Sequence, residues 1–393
     1  MLNDSPETIS SVSPHSASDQ NTVSSWHFSG AHTSDPVHSF VFTGSGKEYF
    51  RIWIVNLCLT IATCGIYSAW AKVRRLQYFD RNTQLGGAVF DFHGNPMPIL
   101  KGRMVAVLLL AANHYAFGFS KVFGLAVVGF LLLGLPWMMR GALRFRLCNT
   151  SYRGLRFNFA GSLAGACLAY LPVVLLVMLP SLILGWDPTK GKWAGGASLL
   201  YLGWPFLHAG IRRYQHRHLE YGSARATYTG PTGDFFATYF IAGLVVVFAI
   251  FIAGIFTALV AVGAWAGKTW ITFLPVAMMI FVAYVMYLLA GPYIQARIYN
   301  LAWSHTRFPH VTIRSELSAK AYIKLQTINT LLTLLTLGLY RPFAVVRAYE
   351  YRLAHMSVHV DGTFDELLGD QHRVEVGASG DSTAEFLGFD LSW

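Results

Sequence analysis

The sequence predicts an all-α membrane protein: a polytopic helical bundle of about eight hydrophobic segments with repeated cytoplasmic modules, amphipathic or extended. Three observations predict it. The 393 residues are 54% hydrophobic and 13% charged, with a mean hydropathy of +0.42; a soluble chain is about a quarter charged. The apolar residues are gathered into long runs, and the Lys and Arg residues fall on alternate connections between those runs.

Six runs read as full spans, at 104–120, 122–139, 162–184, 194–211, 235–266 and 270–294. Each is almost free of charge and long enough for a hydrocarbon core of about 30 Å at 1.5 Å per residue. Backbone groups in that core need internal partners, so the runs should be helices. Two further runs, 44–69 and 315–342, bring the number to about eight.

The short connections on one side of these spans carry Lys121, Lys190, Lys192 and Lys268. Those on the other side carry twenty basic residues, most of them arginines between Lys72 and Arg314. That imbalance places the second set in the cytoplasm. The net charge of +10 is therefore expected to serve topology and contact with anionic lipid headgroups, not nucleic acid.

The division of the chain follows from the same composition. Residues 1–39 are polar, contain no Lys or Arg, and read as a disordered tail. Residues 40–360 form the helical membrane domain with internal repeats, and 361–393 form a polar, acidic tail. Four cysteines stand without a CxxC pair and read as small packing residues.

Self-comparison organises the domain. Tyr49–Arg74 aligns without a gap on Tyr322–Arg347 at an offset of 273, with ten identities in 26 positions that include Asn56/Asn329, Gly65/Gly338 and Arg74/Arg347. A shorter signature, Ala or Pro before an aromatic residue, recurs at Ala69, Pro136, Pro205, Pro292 and Pro342. Nine residues later stand Tyr78, Phe145, Tyr214, Leu301 and Tyr351; thirteen later, Asn82, Asn149, His218, His305 and His355. A Phe-x-Phe-x-Gly pattern follows in the first two copies, ending at Gly94 and Gly161, and precedes the first apolar run, ending at Gly44. Its period of two is that of a short, half-buried extended segment. Each unit thus reads as a helix ending at an aromatic step, then basic turns, a polar cap and an extended piece lying on the helix ends.

The first and last runs are too short for two spans each. A single span at each end is the preferred reading, because non-helical backbone at depth needs protein cover. The rival is a re-entrant hairpin broken near Cys64-Gly65 and Leu337-Gly338.

The stretches FVFTGSGKEYFRIWIVN from Phe40, LTIATCGIYSAWAKVRR from Leu59, Asn82-Thr83 and FDFHG from Phe90 resemble the bacterial YjgN family. The resemblance covers roughly 40–360 and implies a multi-spanning protein of the bacterial inner membrane. It brings no catalytic or ligand residues, since the family has no assigned activity.

Candidate sites come from polar residues on apolar helices. Asn56, Thr60 and Thr63, with Asn329, Thr333 and Thr336, share one helical face and are candidates for a polar lining, joined by Asn113 and His114. Arg74, Arg75, Arg144, Arg146, Arg153, Arg156, Arg212 and Arg213 are candidates for anionic lipid contact. His216/His218 and His355/His359 lack Cys or carboxylate at ligand spacing, so no metal or cofactor is expected, and His218 and His355 read as caps. No phosphate loop, nucleophile elbow or metalloprotease motif is present, so no enzyme is expected. The leading functional expectation is a transporter or channel-like protein for a small solute. The alternative is a non-catalytic scaffold that holds lipid or protein partners.

Overall fold

The computed structural model describes residues 37–264 and 273–361. Residues 1–36 of the expected N-terminal tail, all but the first residue of the C-terminal tail, and the junction between the last two expected spans lie outside them, whereas Val37, His38 and Ser39, expected in the tail, are extended strand.

Hydrophobic length and capping make the helices. Ser45 opens α1 (Gly46–Ala62) by accepting from the Glu48 amide, Ser120 opens α4 (Lys121–Cys148) on Phe123, and Ser162 opens α5 (Leu163–Trp186) on Gly165. The remaining helices are α2 (Ser68–Arg81), α3 (Pro96–Phe119), α6 (Gly191–Ser198), α7 (Trp204–Arg217), α8 (Thr232–Ala264), α9 (Phe273–Ser304), α10 (Ala319–Leu335) and α11 (Arg341–Ala354). Two 3₁₀ turns, Pro188–Lys190 and Leu199–Gly203, flank α6 and divide that run.

The expected all-α class is corrected here. Among the described residues, eleven strands form a single antiparallel sheet. They are β1 (Val37–Phe42), β2 (Thr83–Leu85), β3 (Ala88–Phe92), β4 (Thr150–Tyr152), β5 (Leu155–Phe159), β6 (Leu219–Tyr221), β7 (Ala224–Arg225), β8 (Thr227–Tyr228), β9 (Thr306–Phe308), β10 (Val311–Ser315) and β11 (Met356–Val360). The order runs β7-β6-β5-β4-β3-β2-β1-β11-β10-β9-β8. Its two ends, β7 and β8, are separated only by Ala226, so the sheet rolls round almost to a closed barrel and leaves little free edge. The extended pieces therefore do not lie on the helix ends as separate cuffs. They satisfy one another's backbone groups, each unit's hairpin pairing with the next: Phe92 opposes Thr150, Phe159 opposes Leu219, and Ser39 opposes Ser357.

The number of spans is corrected as well. Among the described residues four helical stretches are long and apolar enough to cross a membrane: Lys121–Cys148, Leu163–Pro180, Thr232–Ala258 and Val276–Ser304. The α3 helix carries Lys101 and Arg103, α6–α7 is interrupted, and α1 and α10 have 17 residues each.

The end runs are hairpins, not the single spans preferred above. β1 precedes α1 and β2 follows α2, yet Phe40 pairs with Leu85 and Phe42 with Thr83, so the chain returns to the face it left. The α10–α11 pair does the same between β10 and β11, where Ser315 opposes Met356. Both turns use left-handed backbone at a residue pair, Cys64 (φ 48°) with Gly65 (φ 92°) and Leu337 (φ 52°) with Gly338 (φ 94°). Their tips are apolar and exposed at Ile61, Ile66, Leu335 and Leu337, as expected of a loop that dips into hydrocarbon with its backbone bonded internally. The Gly65 amide reaches the Thr60 carbonyl, and the Gly338 amide reaches that of Thr333.

Five helix pairs thus hang from one ring, and neighbours touch all the way round: α2 on α3, α4 on α5, α7 on α8, α9 on α10 and α11 on α1. Aromatic clusters lock each strand to its helix ends. Phe92, completely buried, packs with Ala69, Val73, Ile99 and Phe145; Phe159 packs with Tyr214, Tyr170 and Ala166. Glycine is required at the strand exit, because a methyl group on Gly161 would stand 2.5 Å from the Tyr214 hydroxyl oxygen. That tyrosine donates to the Ser162 carbonyl at 3.0 Å, and Tyr78 donates to the Ser45 carbonyl at 2.8 Å, tying the entry of a helix pair to its exit.

Candidate functional site

The helices that end at the ring close with one device. Asn82 and Asn149 donate their side-chain amides to the carbonyls of Tyr78 and Phe145, four residues back. The Nδ1 atoms of His218, His305 and His355 lie 2.8–2.9 Å from the carbonyl oxygens of Tyr214, Leu301 and Tyr351. These side chains satisfy last-turn carbonyls that a helix C-terminus otherwise leaves open.

With the ends fixed, one face of each helix turns inward. Residues at seven, ten and eleven positions after the aromatic step share that face by helical geometry, and the residue at fourteen opens the strand that follows. From α2 into β2 they are Leu76, Phe79, Asp80 and Thr83; from α4 into β4, Leu143, Arg146, Leu147 and Thr150; from α11 into β11, Tyr349, Arg352, Leu353 and Met356. All twelve line a cavity of about 430 Å³ enclosed between the helix ends and the barrel wall, a size within the ~300–1,000 Å³ of small-molecule sites. The barrel contributes mainly apolar side chains, among them Phe40, Phe90, Phe157, Phe308 and Val358. Among the described residues, the helix layer contributes Lys72, Arg75, Arg146 and Arg352 together with the carboxylate of Asp80.

Asp80 is 5% exposed and pairs with Arg146 at 2.9 Å. Burial pushes its carboxyl above the usual carboxylate range, and Arg146 offsets part of that shift. One oxygen of Asp80 and one terminal nitrogen of Arg146, both buried, meet no hydrogen-bond partner among the described residues, an arrangement that costs stability unless a polar group fills it. The Arg146 guanidinium also lies 5.4 Å from the Phe92 ring centroid. Beside this pair, the Thr83 and Tyr349 hydroxyls share a hydrogen bond of 3.0 Å between the first and last helix pairs.

The α7 face is filled differently. The Gln215 amide donates to the Tyr170 hydroxyl, and the Arg212 guanidinium donates to Gln215 and to His208. His216 is 1% exposed and lies 2.9 Å from the Thr306 hydroxyl. Burial, reinforced by Arg212, pushes His216 down to about 3, so its imidazole stays neutral through the physiological range.

The candidate lipid-binding arginines divide into two groups. Arg75 and Arg146 line the chamber, and Arg212 lies in the α7 network. Arg153 holds the Gly86 carbonyl at 2.6 Å across a hairpin turn. Arg74 stacks over Tyr67, Arg144 is half-buried, and Arg156 and Arg213 are exposed. The candidate polar lining is spread out. The hydroxyls of Thr60, Thr63, Thr333 and Thr336 donate to carbonyls of their own helices. Asn56 and Asn329 are buried, and the Asn329 amide donates to the Ala344 carbonyl at 3.3 Å. His114 is exposed on α3 against Tyr115, and the side chain of Asn113 lies outside the described residues. Sequence reading passed over Lys72, Asp80, Tyr349 and Arg352. Asp80 carried a signal, an acid on the apolar face of a helix.

Comparison with known proteins places the chain. Residues 37–386 match the family model described as bacterial protein of unknown function (DUF898). The chain belongs to this family. Among curated proteins it is 33% identical over 150 residues to the inner membrane protein YjgN of Escherichia coli K12. It is 32% identical over 145 and 150 residues to the proteins of that name from Escherichia coli O157:H7 and Salmonella typhimurium LT2. Each match covers 36% of this chain and 36–37% of the relative, about a third of either length. No solved structure matches. With four apolar helices of spanning length, this DUF898 chain is a membrane protein.

Proposed function

We propose that the protein is a non-catalytic binding protein of the bacterial inner membrane, whose ring encloses a chamber for a small amphipathic molecule at the cytoplasmic face. The observation that carries this is the chamber: an apolar barrel wall facing a layer of basic side chains from α2, α4 and α11. The names of the YjgN relatives support the location. The basic residues crowd the ring side of the helices, which supports a cytoplasmic ring. The matching lengths of α1–α2 and α10–α11, 17 and 14 residues in each pair, support descent from a duplicated unit.

Transport of a small solute along the Asn56 and Asn329 faces draws less support, because the neighbouring threonine hydroxyls are bonded to their own helices. The chamber is tested by filling it. Ala224 lines it from the two-residue strand β7, so Ala224→Trp is expected to displace a co-purifying amphiphile. Native mass spectrometry of protein extracted in mild detergent should show a bound species of lipid mass on the parent chain and none on the folded variant. Identical spectra from the two would remove the basis of the proposal.

A further inference from the structure

We infer that a cleft between the ring ends of α8 and α9 holds the head group of an amine-bearing, zwitterionic phospholipid, its phosphate at Arg297 and its ammonium at Asp234. The site is distinct from the chamber, with which it shares no lining residue.

The cleft opens where two membrane-spanning helices reach the ring. The α8 and α9 helices pack together, and both contain stretches of spanning length, Thr232–Ala258 and Val276–Ser304. At their ring ends a space of about 360 Å³ lies between them, within the ~300–1,000 Å³ of small-molecule sites. One face of each helix lines it, at spacings of three and four: Asp234, Thr238 and Ile241 from α8, and Arg297, Asn300 and Ser304 from α9. The α9 wall is held in place from behind. The Asn300 amide donates to the Leu317 carbonyl at 2.9 Å, and its oxygen accepts from the Leu317 amide and the Ser315 hydroxyl. The Ser304 hydroxyl donates to the Ser315 carbonyl. A wall fixed in this way loses little freedom when a ligand enters.

Charge selects the head. Asp234 and Arg297 line the same cleft and are both exposed, yet neither forms an ion pair among the described residues. A carboxylate and a guanidinium held apart suit a ligand that carries both charges. A purely anionic head would meet the like charge of Asp234, and a purely cationic one that of Arg297. The competing explanation gives each residue a local role: Asp234 in the first turn of α8, against the helix dipole, and Arg297 over the Tyr293 ring at 5.9 Å. Those roles do not require the two residues to face one cleft.

The surface beyond the cleft specifies a lipid. The lining face of α8 continues past Ile241 as Leu244, Val245 and Phe248, all exposed. These residues stand three, four and seven positions further on, so they extend the same stripe into the hydrocarbon. A head seated between Asp234 and Arg297 therefore lays its acyl chains along α8. A free zwitterion would leave that stripe out of the recognition.

Four probes separate these elements: phosphatidylethanolamine, phosphatidylglycerol and diacylglycerol of one acyl composition, and chainless glycerophosphoethanolamine. The cleft is open along Asp234 and Arg297, so its lipid is expected to exchange with detergent, and binding is read by titration and not by what co-purifies. Each probe is titrated against the full-length protein in uncharged detergent and followed by native mass spectrometry. Phosphatidylethanolamine is expected to bind about tenfold more tightly than phosphatidylglycerol, the margin of one hydrogen bond to a charged group. Asp234→Asn should erase that margin, and Arg297→Gln should weaken both phospholipids while leaving diacylglycerol unchanged. Asp234→Glu and Arg297→Lys should preserve the order. Ala224→Trp, which fills the chamber, should preserve it too; loss of the preference in that variant would move the lipid to the chamber and overturn the cleft. Equal binding of the two phospholipids by the parent protein, or retention of neither, would overturn the zwitterionic class. Asp234→Asn and Arg297→Gln proteins that melt lower but keep the parent's order of binding would reduce both residues to their local roles. Glycerophosphoethanolamine retained as tightly as the lipid would overturn the part played by the chains.

Discussion

Arg146→Leu is expected to destabilise the protein by about 3 kcal/mol at neutral pH, because breaking a buried ion pair strands the remaining charge. The stranded group is Asp80, 5% exposed and paired with Arg146 at 2.9 Å. Burial already raises the Asp80 carboxyl, and Arg146 is the main influence lowering it. A carboxyl raised in the folded state contributes stability below its unfolded pKa and loses that contribution as pH rises through its folded value. Without Arg146 the folded value climbs further, so the deficit should grow between about pH 4 and pH 7 and nearly vanish at the acidic end. Thermal unfolding of parent and variant in detergent across that interval reads the effect. A deficit independent of pH would mean that the guanidinium acts through packing on Phe92 alone. Asp80→Asn added to Arg146→Leu should recover much of the loss, since the buried charge is then gone.

The second large effect concerns the joint between ring and helices. Phe92 ends β3, is 0% exposed, and packs on Ala69 and Val73 of α2, Ile99 of α3 and Phe145 of α4. Phe92→Ala removes a ring from a site where three helices and a strand meet, which costs about 3–5 kcal/mol where the cavity cannot collapse. Collapse is hindered here, because neighbouring strands on both sides fix the backbone of β3. The expected result is a melting temperature lower by about ten degrees or more at the order-of-magnitude conversion for domains, with faster hydrogen exchange at β3 and β4. Phe92→Leu should recover about half of it.

Much of the helical part could be read from the residues. The apolar runs, the caps at Asn82 and His355, and the one-sided basic residues all express local chemistry: a hydrophobic length, a side chain reaching four residues back, a count of charges. The sheet could not be read in this way. Its strands have two to six residues, too few for a period to declare itself, and their partners come from other units. Phe-x-Phe-x-Gly did mark extended backbone at β1, β3 and β5, yet nothing local says that Phe92 faces Thr150 or that Ser39 faces Ser357. The end runs misled for a related reason. Their apolar length equals one span, and the turn is signalled only by Cys64-Gly65 and Leu337-Gly338, where a non-glycine residue takes left-handed backbone. The chamber was half legible. Arg75 and Arg146 stood among the candidate anion contacts, but as surface charges; that they face inward with Asp80 and Arg352 follows from a shared helical face, visible once the units are aligned on their aromatic steps.

Ring closure by the two ends of the domain is the claim on which the chamber, its ligand and both stability effects depend. Ser39 on β1 and Ser357 on β11 stand opposite each other across the seam. With Cys58, Cys64, Cys148 and Cys167 replaced, Ser39→Cys and Ser357→Cys in one chain should be joined by a short bifunctional thiol reagent in intact membranes, giving an intramolecular product. No cross-link, together with labelling of the two introduced thiols from opposite sides of the membrane, would contradict the account.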